Sequence, residues 1–431
     1  MRKRKLNNLQ GIALGYLLLS LLGAALLMLP AASADGAWTT FSDALFTAVS
    51  ASCVTGLTVV NTAEHWSFFG QAVLLTLIQV GGLGFFTISL YVSLLLRHRV
   101  GLGRRQRMLE SINLDRFGGL SALTRRIIAV TLTAELVGGG LLAVRFVPRF
   151  GWGRGLWLGL FHAVSAFCNA GFDLLGNSFA EYVGDIYANI ILIGLIIAGG
   201  LGFLVWDDLA RHRLHWRRYS LHSKLVLSTT AALLLGGMAG LYLLERPQGG
   251  TLLQALFASA TARTAGFHTV EPAHMTEGGR LLTIVLMAVG GSPGSTAGGI
   301  KTTTFAVLLL HLAAETRREQ SVHVFGRRID GGAVEKAAFV AGSNLLLAVA
   351  GSLILCGGGL PLGDALFECV SAVGTVGMST GVTGTLTGVS RWTVAFLMFC
   401  GRVGSASFAV ALLEKRGRPP VGYPTERVLI G

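Results

Sequence analysis

SASCVTGL at residues 50–57 has three counterparts in the same chain: SAFCNAGF at 165–172, ATARTAGF at 260–267 and SAVGTVGM at 371–378. Set on their glycines, Gly56, Gly171, Gly266 and Gly377, each is followed by a large apolar residue. Each is preceded by a short apolar segment carrying Phe or Leu, at 42–52, 155–167, 251–262 and 362–373. Such segments are too brief to cross a hydrocarbon core of roughly 30 Å. A second register follows inside the next apolar run: GGLG at 81–84, GGLG at 199–202, GGSPG at 290–294 and GRVG at 401–404. Two phased signals recurring four times predict one unit used four times, a helix, a re-entrant half-helix with its loop, and a second helix.

The bulk composition fits that unit. Of 431 residues 52% are hydrophobic and 13% charged, with 59 glycines and a mean hydropathy of +0.63. A soluble domain carries roughly 25% charged residues, so this is a membrane composition. Apolar runs long enough to span fall at about 9–30, 67–96, 126–147, 186–209, 224–245, 280–311, 336–358 and 391–413. The expected fold is an all-α membrane protein of eight transmembrane helices plus four re-entrant pore helices around a pseudo-fourfold pore. Its repeats would be 1–100, 101–215, 216–325 (with its inner helix broken at 290–304) and 326–413, followed by a tail at 414–431. The run after MRKRK ends in Leu29-Pro30 without a small-x-small cleavage pattern, so it is expected to persist as the first helix rather than act as a signal peptide.

Net charge is +13, which in a soluble protein would suggest nucleic acid. Its distribution says otherwise. MRKRK, 97–126, 211–224, 317–336, KRGR at 415–418 and Arg427 hold 26 of the 35 Lys and Arg residues. Eight spans put all of these on one side, which the positive-inside rule makes cytoplasmic, so both termini are expected there. No nucleic-acid partner is expected; lipid headgroups or a soluble partner suit this basic face. The five cysteines (Cys53, Cys168, Cys356, Cys369, Cys400) lie in or beside apolar segments without metal spacing, which suits small buried fillers. There is no HExxH or paired-carboxylate motif, so no enzyme is expected.

Non-helical backbone survives at membrane depth only inside protein or beside water, so four such loops must meet at a shared axis. The half-helices would point their C-termini, and so partial negative charge, at that axis, which favours cations. Glycine allows backbone angles closed to other residues and leaves the axis clear for carbonyl oxygens that replace an ion's hydration shell. Close packing of helices is the alternative use of such glycines.

VTGL, NAGF, RTAGF and TVGMSTG on one chain resemble the Trk/Ktr/HKT superfamily of cation transporters over nearly the whole sequence. Within it the chain is most similar to the KtrB-type membrane subunits of bacterial Ktr potassium-uptake systems; TrkH-type relatives usually carry two more N-terminal helices. The resemblance implies a potassium filter of backbone carbonyls at Val54, Thr55, Gly56, Asn169, Ala170, Gly171, Thr264, Ala265, Gly266, Thr375, Val376 and Gly377. In the sodium-selective plant branch the first glycine is serine; Gly56 therefore points to potassium. The implied activity is potassium uptake across the bacterial cytoplasmic membrane through a gated, channel-like pore driven by membrane potential. Sodium activation, or a symporter coupling potassium to sodium or protons, remains the open alternative. Potassium, with sodium as the candidate second ion, would be the only small ligands, with no organic cofactor. Implied partners are a second copy of the chain, membrane lipids and a cytoplasmic KtrA-like nucleotide-binding ring, and TERVLIG resembles the tail that tucks into the dimer interface.

The third repeat carries GGSPGSTAGGIKTTT at 290–304. Gly294 to Gly299 has Walker A spacing, but Ile300 separates it from Lys301 and no strand precedes it. The resemblance implies instead an intramembrane gating loop of Gly290, Gly291, Ser292, Pro293, Gly294, Ser295, Thr296, Ala297, Gly298, Gly299 and Lys301, held shut by Arg402. Arg402 stands where the other registers have Gly82, Gly200 and Gly291. A charge in a span is costly and a functional candidate, the alternative being a structurally paired arginine. Lys301 would reach the cytoplasmic cavity or snorkel. Arg263 is expected to brace its own pore loop, helped by Glu271; Glu135 and Glu368 to pair with neighbours; and His162 to be a hydrogen-bonded core residue.

Overall fold

The structure, a computed structural model, describes residues 8–84, 120–213, 215–319 and 321–404. MRKRK, most of the basic segment 97–126, the helix ends expected at 85–96 and 405–413, and the tail lie outside the described residues.

Four long helices form the periphery: Asn8–Leu27, Leu120–Phe150, Leu221–Glu245 and Gly331–Gly357. Among the described residues they are the four single helices long and apolar enough to cross a membrane. Leu18, Leu22, Leu136, Val144, Leu243, Leu346 and Leu353 stand exposed on them. An apolar surface of that extent suits hydrocarbon rather than water.

Inside this periphery lie four pore helices, Phe41–Cys53, Trp152–Phe167, Leu252–Thr261 and Leu362–Gly374, of 13, 16, 10 and 13 residues. At 1.5 Å per residue they reach only about 15–24 Å, short of a full span. Thr40 caps the first, and Thr251 forms a capping box with Gln254 on the third. Their starts, at Phe41, Trp152, Leu252 and Leu362, are exposed, and their last turns are buried. Gly139, Gly155 and Gly159 let the second pore helix press on its peripheral neighbour: a β-carbon at Gly155 would lie 2.6 Å from Val147 Cα, and one at Gly159 2.5 Å from Gly139 O.

Four inner helices follow the pore loops: Phe68–Leu83, Ile186–Gly200, Glu277–Ala288 and Gly388–Val403. The second glycine register falls at the ends of these helices, with Gly84 (φ 83°), Gly202 (φ 90°) and Gly404 (φ 92°) in the left-handed region. The first glycine of three registers also presses an inner helix onto the end of its own pore helix. A β-carbon at Gly81, Gly199 or Gly401 would collide with the carbonyl of Ser52, Phe167 or Val373.

One expected span is corrected. The run at 186–209 is two helices, Ile186–Gly200 and Phe203–His212, bent by 99°. The break falls at the left-handed Gly202, and the third repeat's Gly294 carbonyl accepts Phe203 N–H at 2.9 Å, so the second helix restarts against that loop. The run at 280–311 is broken as expected, but helix resumes at Thr302, before the end of 290–304, and continues as Thr302–Thr316.

Neighbouring repeats are stitched at the starts of the pore helices. Arg391 Nη1 meets Asp43 Oδ1 at 2.6 Å, Arg280 Nη1 meets Asp364 Oδ1 at 3.4 Å, and Trp157 Nε1 donates to Gln71 Oε1 at 2.8 Å. The first joins the last inner helix to the first pore helix and so closes the fourfold arrangement. Arg391→Met is expected to lower stability by about 1 kcal/mol, because the pair is only partly shielded from solvent. A double-mutant cycle with Asp43→Asn, read by thermal unfolding in detergent, checks this. Strict additivity would mean that the pair contributes nothing.

Candidate functional site

Each pore helix ends in the same uncommon way. Val54 (φ 58°), Asn169 (φ 59°), Thr264 (φ 71°) and Thr375 (φ 50°) adopt left-handed backbone. In the first, second and fourth loops the next residue's N–H reaches back to the pore helix: Thr55 to Ser50 O at 2.8 Å, Ala170 to Ser165 O at 2.7 Å and Val376 to Ser371 O at 2.8 Å. That closes a Schellman-type cap, which normally uses glycine. In the third loop Ala265 N–H finds Thr261 O at 2.9 Å. β-Branched residues in this region cost of order 1–3 kcal/mol and persist only where the surroundings over-determine them. Nothing in the sequence marks Val54, Thr264 or Thr375 as left-handed, since Val and Thr disfavour that backbone.

Two residues further on, the four glycines are also left-handed, with φ of 97°, 70°, 82° and 92° at Gly56, Gly171, Gly266 and Gly377. They form a closed ring. A β-carbon at Gly56 would run into Ala170 O and lie 3.0 Å from Gly171 Cα; one at Gly171 would lie 2.8 Å from Ala265 O and 2.9 Å from Gly266 Cα. One at Gly266 would lie 2.6 Å from Val376 O and 3.2 Å from Gly377 Cα, and one at Gly377 would run into Thr55 O, 3.1 Å from Gly56 Cα. Four loops from four separate parts of the chain thus place one carbonyl each, of Thr55, Ala170, Ala265 and Val376, against the preceding loop's glycine, the first loop following the fourth in the ring.

Pore-helix hydroxyls tie each loop. Ser50 Oγ accepts Gly56 N–H at 3.0 Å and Ser371 Oγ accepts Gly377 N–H at 3.1 Å. Ser165 Oγ donates to Phe172 O at 2.8 Å, and Thr261 Oγ1 to Phe267 O at 2.6 Å. These four were not singled out from the sequence; the available signal is a small polar residue five or six positions before each ring glycine. On one side of the ring opens a vestibule of about 300 Å³, lined by the four glycines with Asp173, His268, Glu271 and Ser379 among others.

On the other side the ring is underlain by the segment from Gly290 to Lys301. A β-carbon at Gly298 would collide with Thr375, one at Gly299 would lie 3.1 Å from Gly374 O, and one at Gly290 3.0 Å from Thr264 Cγ2. The segment is strapped at both ends, by Gly290 N–H to Ile300 O at 2.8 Å and Thr302 N–H to Gly291 O at 3.0 Å. Ser292 N–H donates to Gly200 O at 2.9 Å, and Thr296 Oγ1 to Phe167 O at 3.0 Å. Pro293 and Gly294 face the bend at Gly202; Ser295 Oγ donates to Ser292 O at 2.6 Å; Ala297 is buried. Lys301 neither reaches away from the loop nor snorkels: its Nζ donates to Ala297 O at 2.7 Å, inside the loop itself.

Arg402 lies against this segment. Its guanidinium donates to Thr296 O, to Gly81 O and, at 3.1 Å, to Gly82 O. Among the described residues no carboxylate forms an ion pair with it, so three carbonyl dipoles carry its solvation. The expected contact with the loop is present, and so is one to the first repeat's GGLG, which the sequence did not indicate.

The remaining charged candidates have structural partners. Arg263 does not brace its own loop or meet Glu271; its Nη atoms reach Thr230 O and Oγ1 at 3.4 Å on the third peripheral helix, because that helix backs the pore helix. Glu271 lies within 3.6 Å of His274. Glu135 accepts from Gln79 at 3.1 Å and lies 3.7 Å from Cys168 Sγ. Glu368 accepts from the hydroxyls of Ser379 and, at 2.8 Å, Thr383. His162 is a hydrogen-bonded core residue, with Nδ1 2.7 Å from Leu158 O and Nε2 accepting Leu174 N–H at 3.2 Å.

Known proteins share this architecture. Residues 7–416 match the family described as TrkH: Cation transport protein. The chain is 40% identical to the potassium/sodium uptake protein NtpJ of Enterococcus hirae, over 100% of this chain and 98% of that one. It is 37% identical to the Ktr system potassium uptake protein B of Bacillus subtilis, over 98% and 96%. The crystal structure of the potassium transporter TrkH from Vibrio parahaemolyticus superposes with a TM-score of 0.76 at 19% identity, over 96% of this chain and 87% of that one, and so shares its fold. With its repeated helix and pore-loop units and a family match over nearly its full length, this multi-pass membrane protein belongs to the TrkH family of cation transport proteins.

Proposed function

We propose that the chain takes up potassium through a gated pore in the bacterial cytoplasmic membrane, with the glycine ring as its selectivity filter. The observation that carries this reading is the closed contact of Gly56, Gly171, Gly266 and Gly377, each lying against the next loop's carbonyl. Four pore-helix C-termini converge there and favour a cation. A ring of carbonyls replaces the hydration shell of a monovalent ion. With one glycine per loop the filter holds about one good site, so a moderate preference for potassium over sodium is expected. The ring's own loops, 54–56, 169–171, 264–266 and 375–377, supply the ligands; the segment 290–301 with Arg402 is the gate. The printed functions of the NtpJ and Ktr relatives, potassium/sodium and potassium uptake, support the ion assignment. The Ktr relative's name also supports accessory subunits, here a nucleotide-binding cytoplasmic ring, alongside a second copy of the chain.

Rescue of a potassium-uptake-deficient bacterium, with and without sodium in the medium, tests the ion. Growth at low potassium is expected. Rescue only with sodium would place sodium as activator or coupled ion, and equal potassium and sodium flux in liposomes would remove the filter assignment.

A further inference from the structure

Nine residues before each ring glycine, midway along each pore helix, stand Thr47, His162, Phe257 and Glu368. All four are buried at 0–1% exposure. In a fourfold structure these are the same position, yet its chemistry alternates around the ring. His162 and Glu368 each reach past their own glycine to the segment that follows it. Leu174 N–H, three residues beyond Gly171, donates to His162 Nε2 at 3.2 Å, while Nδ1 faces Leu158 O at 2.7 Å. That pair of partners fixes the neutral tautomer with its proton on Nδ1. Glu368 accepts from Ser379, two residues beyond Gly377, and from Thr383 at 2.8 Å; the two hydroxyls are 2.9 Å apart. Thr47 does neither, since its buried hydroxyl has no partner, and Phe257 has no polar group to offer.

The ring runs in the order Gly56, Gly171, Gly266, Gly377, so the second and fourth loops face each other across it. Every loop has one pore-helix hydroxyl bond, but among the described residues only this diagonal has a second side-chain brace from its own pore helix. Beyond Gly266 the third loop is held instead by the second repeat, His268 N–H donating to Ser178 Oγ at 3.0 Å. We infer that His162 and Glu368 are positioning residues that hold the second and fourth loops at a fixed distance, so that discrimination against the smaller sodium ion depends on this diagonal more than on the first and third loops. The physical reason is that carbonyls favour a larger ion only if they resist closing on a smaller one. A loop braced twice from its own pore helix resists more than a loop braced once.

This inference rests on the ring being the filter, and the experiment separates the two. Potassium and sodium influx are measured in liposomes holding the purified full chain. A wild-type protein without potassium preference defeats the filter reading itself. Given a preference, Glu368→Leu and His162→Phe are each expected to lower the potassium-to-sodium flux ratio about fivefold to tenfold, as loss of one or two buried hydrogen bonds would. Glu368→Gln keeps an acceptor in the same place and is expected to stay within about twofold of wild type. Ser379→Ala combined with Thr383→Val removes the two hydroxyls that Glu368 accepts from and reads their part of the brace even where Glu368→Leu fails to fold. Thr47→Val, at the equivalent position of an unbraced loop, is expected to leave the ratio unchanged. A wild-type ratio in the Ser379→Ala/Thr383→Val protein, or an equal drop in Thr47→Val, would overturn the inference.

Discussion

Gly377→Ala is expected to cut potassium flux on the order of a hundredfold or more, and to erase what preference over sodium remains. Gly377 sits at φ 92°, where an L side chain is strained, and its β-carbon would run into Thr55 O and lie 3.1 Å from Gly56 Cα. Both neighbours are backbone of another loop, so neither swings aside as a side chain would. Strain at such a residue costs about 1–3 kcal/mol before the overlap is counted, and about 3 kcal/mol is already a hundredfold. The cheapest relief is to spread the first and fourth loops, which moves the carbonyls away from the distance an ion needs. Gly384→Ala is the control, since a β-carbon there meets nothing within 4 Å although Gly384 lines the same vestibule. Tracer influx into liposomes, with each protein checked for monodispersity, measures both. Unchanged flux and ion ratio in Gly377→Ala would mean that ions do not pass the ring.

The second large effect runs the other way. Arg402→Ala is expected to raise flux about tenfold or more when the chain is reconstituted alone. The guanidinium bridges Thr296 O on the loop to Gly81 O and Gly82 O on the first inner helix. Hydrogen bonds from a charged donor contribute roughly 1.5–3 kcal/mol each, and a shift of about 1.4 kcal/mol between closed and open loop is a tenfold change in population. Removing a positive charge beside the pathway lowers the barrier to cations as well. Arg402→Lys is expected to fall between the two, because a single ammonium cannot reproduce the planar fork that reaches carbonyls on two elements. Transport rate and affinity both unchanged in Arg402→Ala would show that the arginine is a structural pairing only.

The sequence alone determined the repeat, the four pore helices and the four ring glycines. Those features are local: a half-helix is too short to span, a glycine permits a backbone that other residues avoid, and both recur in phase along the chain. It also singled out 290–301 and Arg402, because a broken helix and a buried charge are each costly in an apolar run. Only the tertiary structure decided what these residues touch. Arg402 binds carbonyls of residues more than a hundred and more than three hundred positions away, and a carbonyl is offered by every residue type, so no pattern in the sequence marks the partner. The left-handed Val54 and Thr375 contradict their own preferences because caps and neighbouring loops hold them, and Arg263 turned to Thr230 because a peripheral helix happened to back it. The 99° bend after Gly200 seats Phe203 N–H on a loop carbonyl of another repeat. Periodicity and steric permission are written residue by residue, whereas hydrogen bonds between distant backbone segments exist only once the four units have closed into a ring.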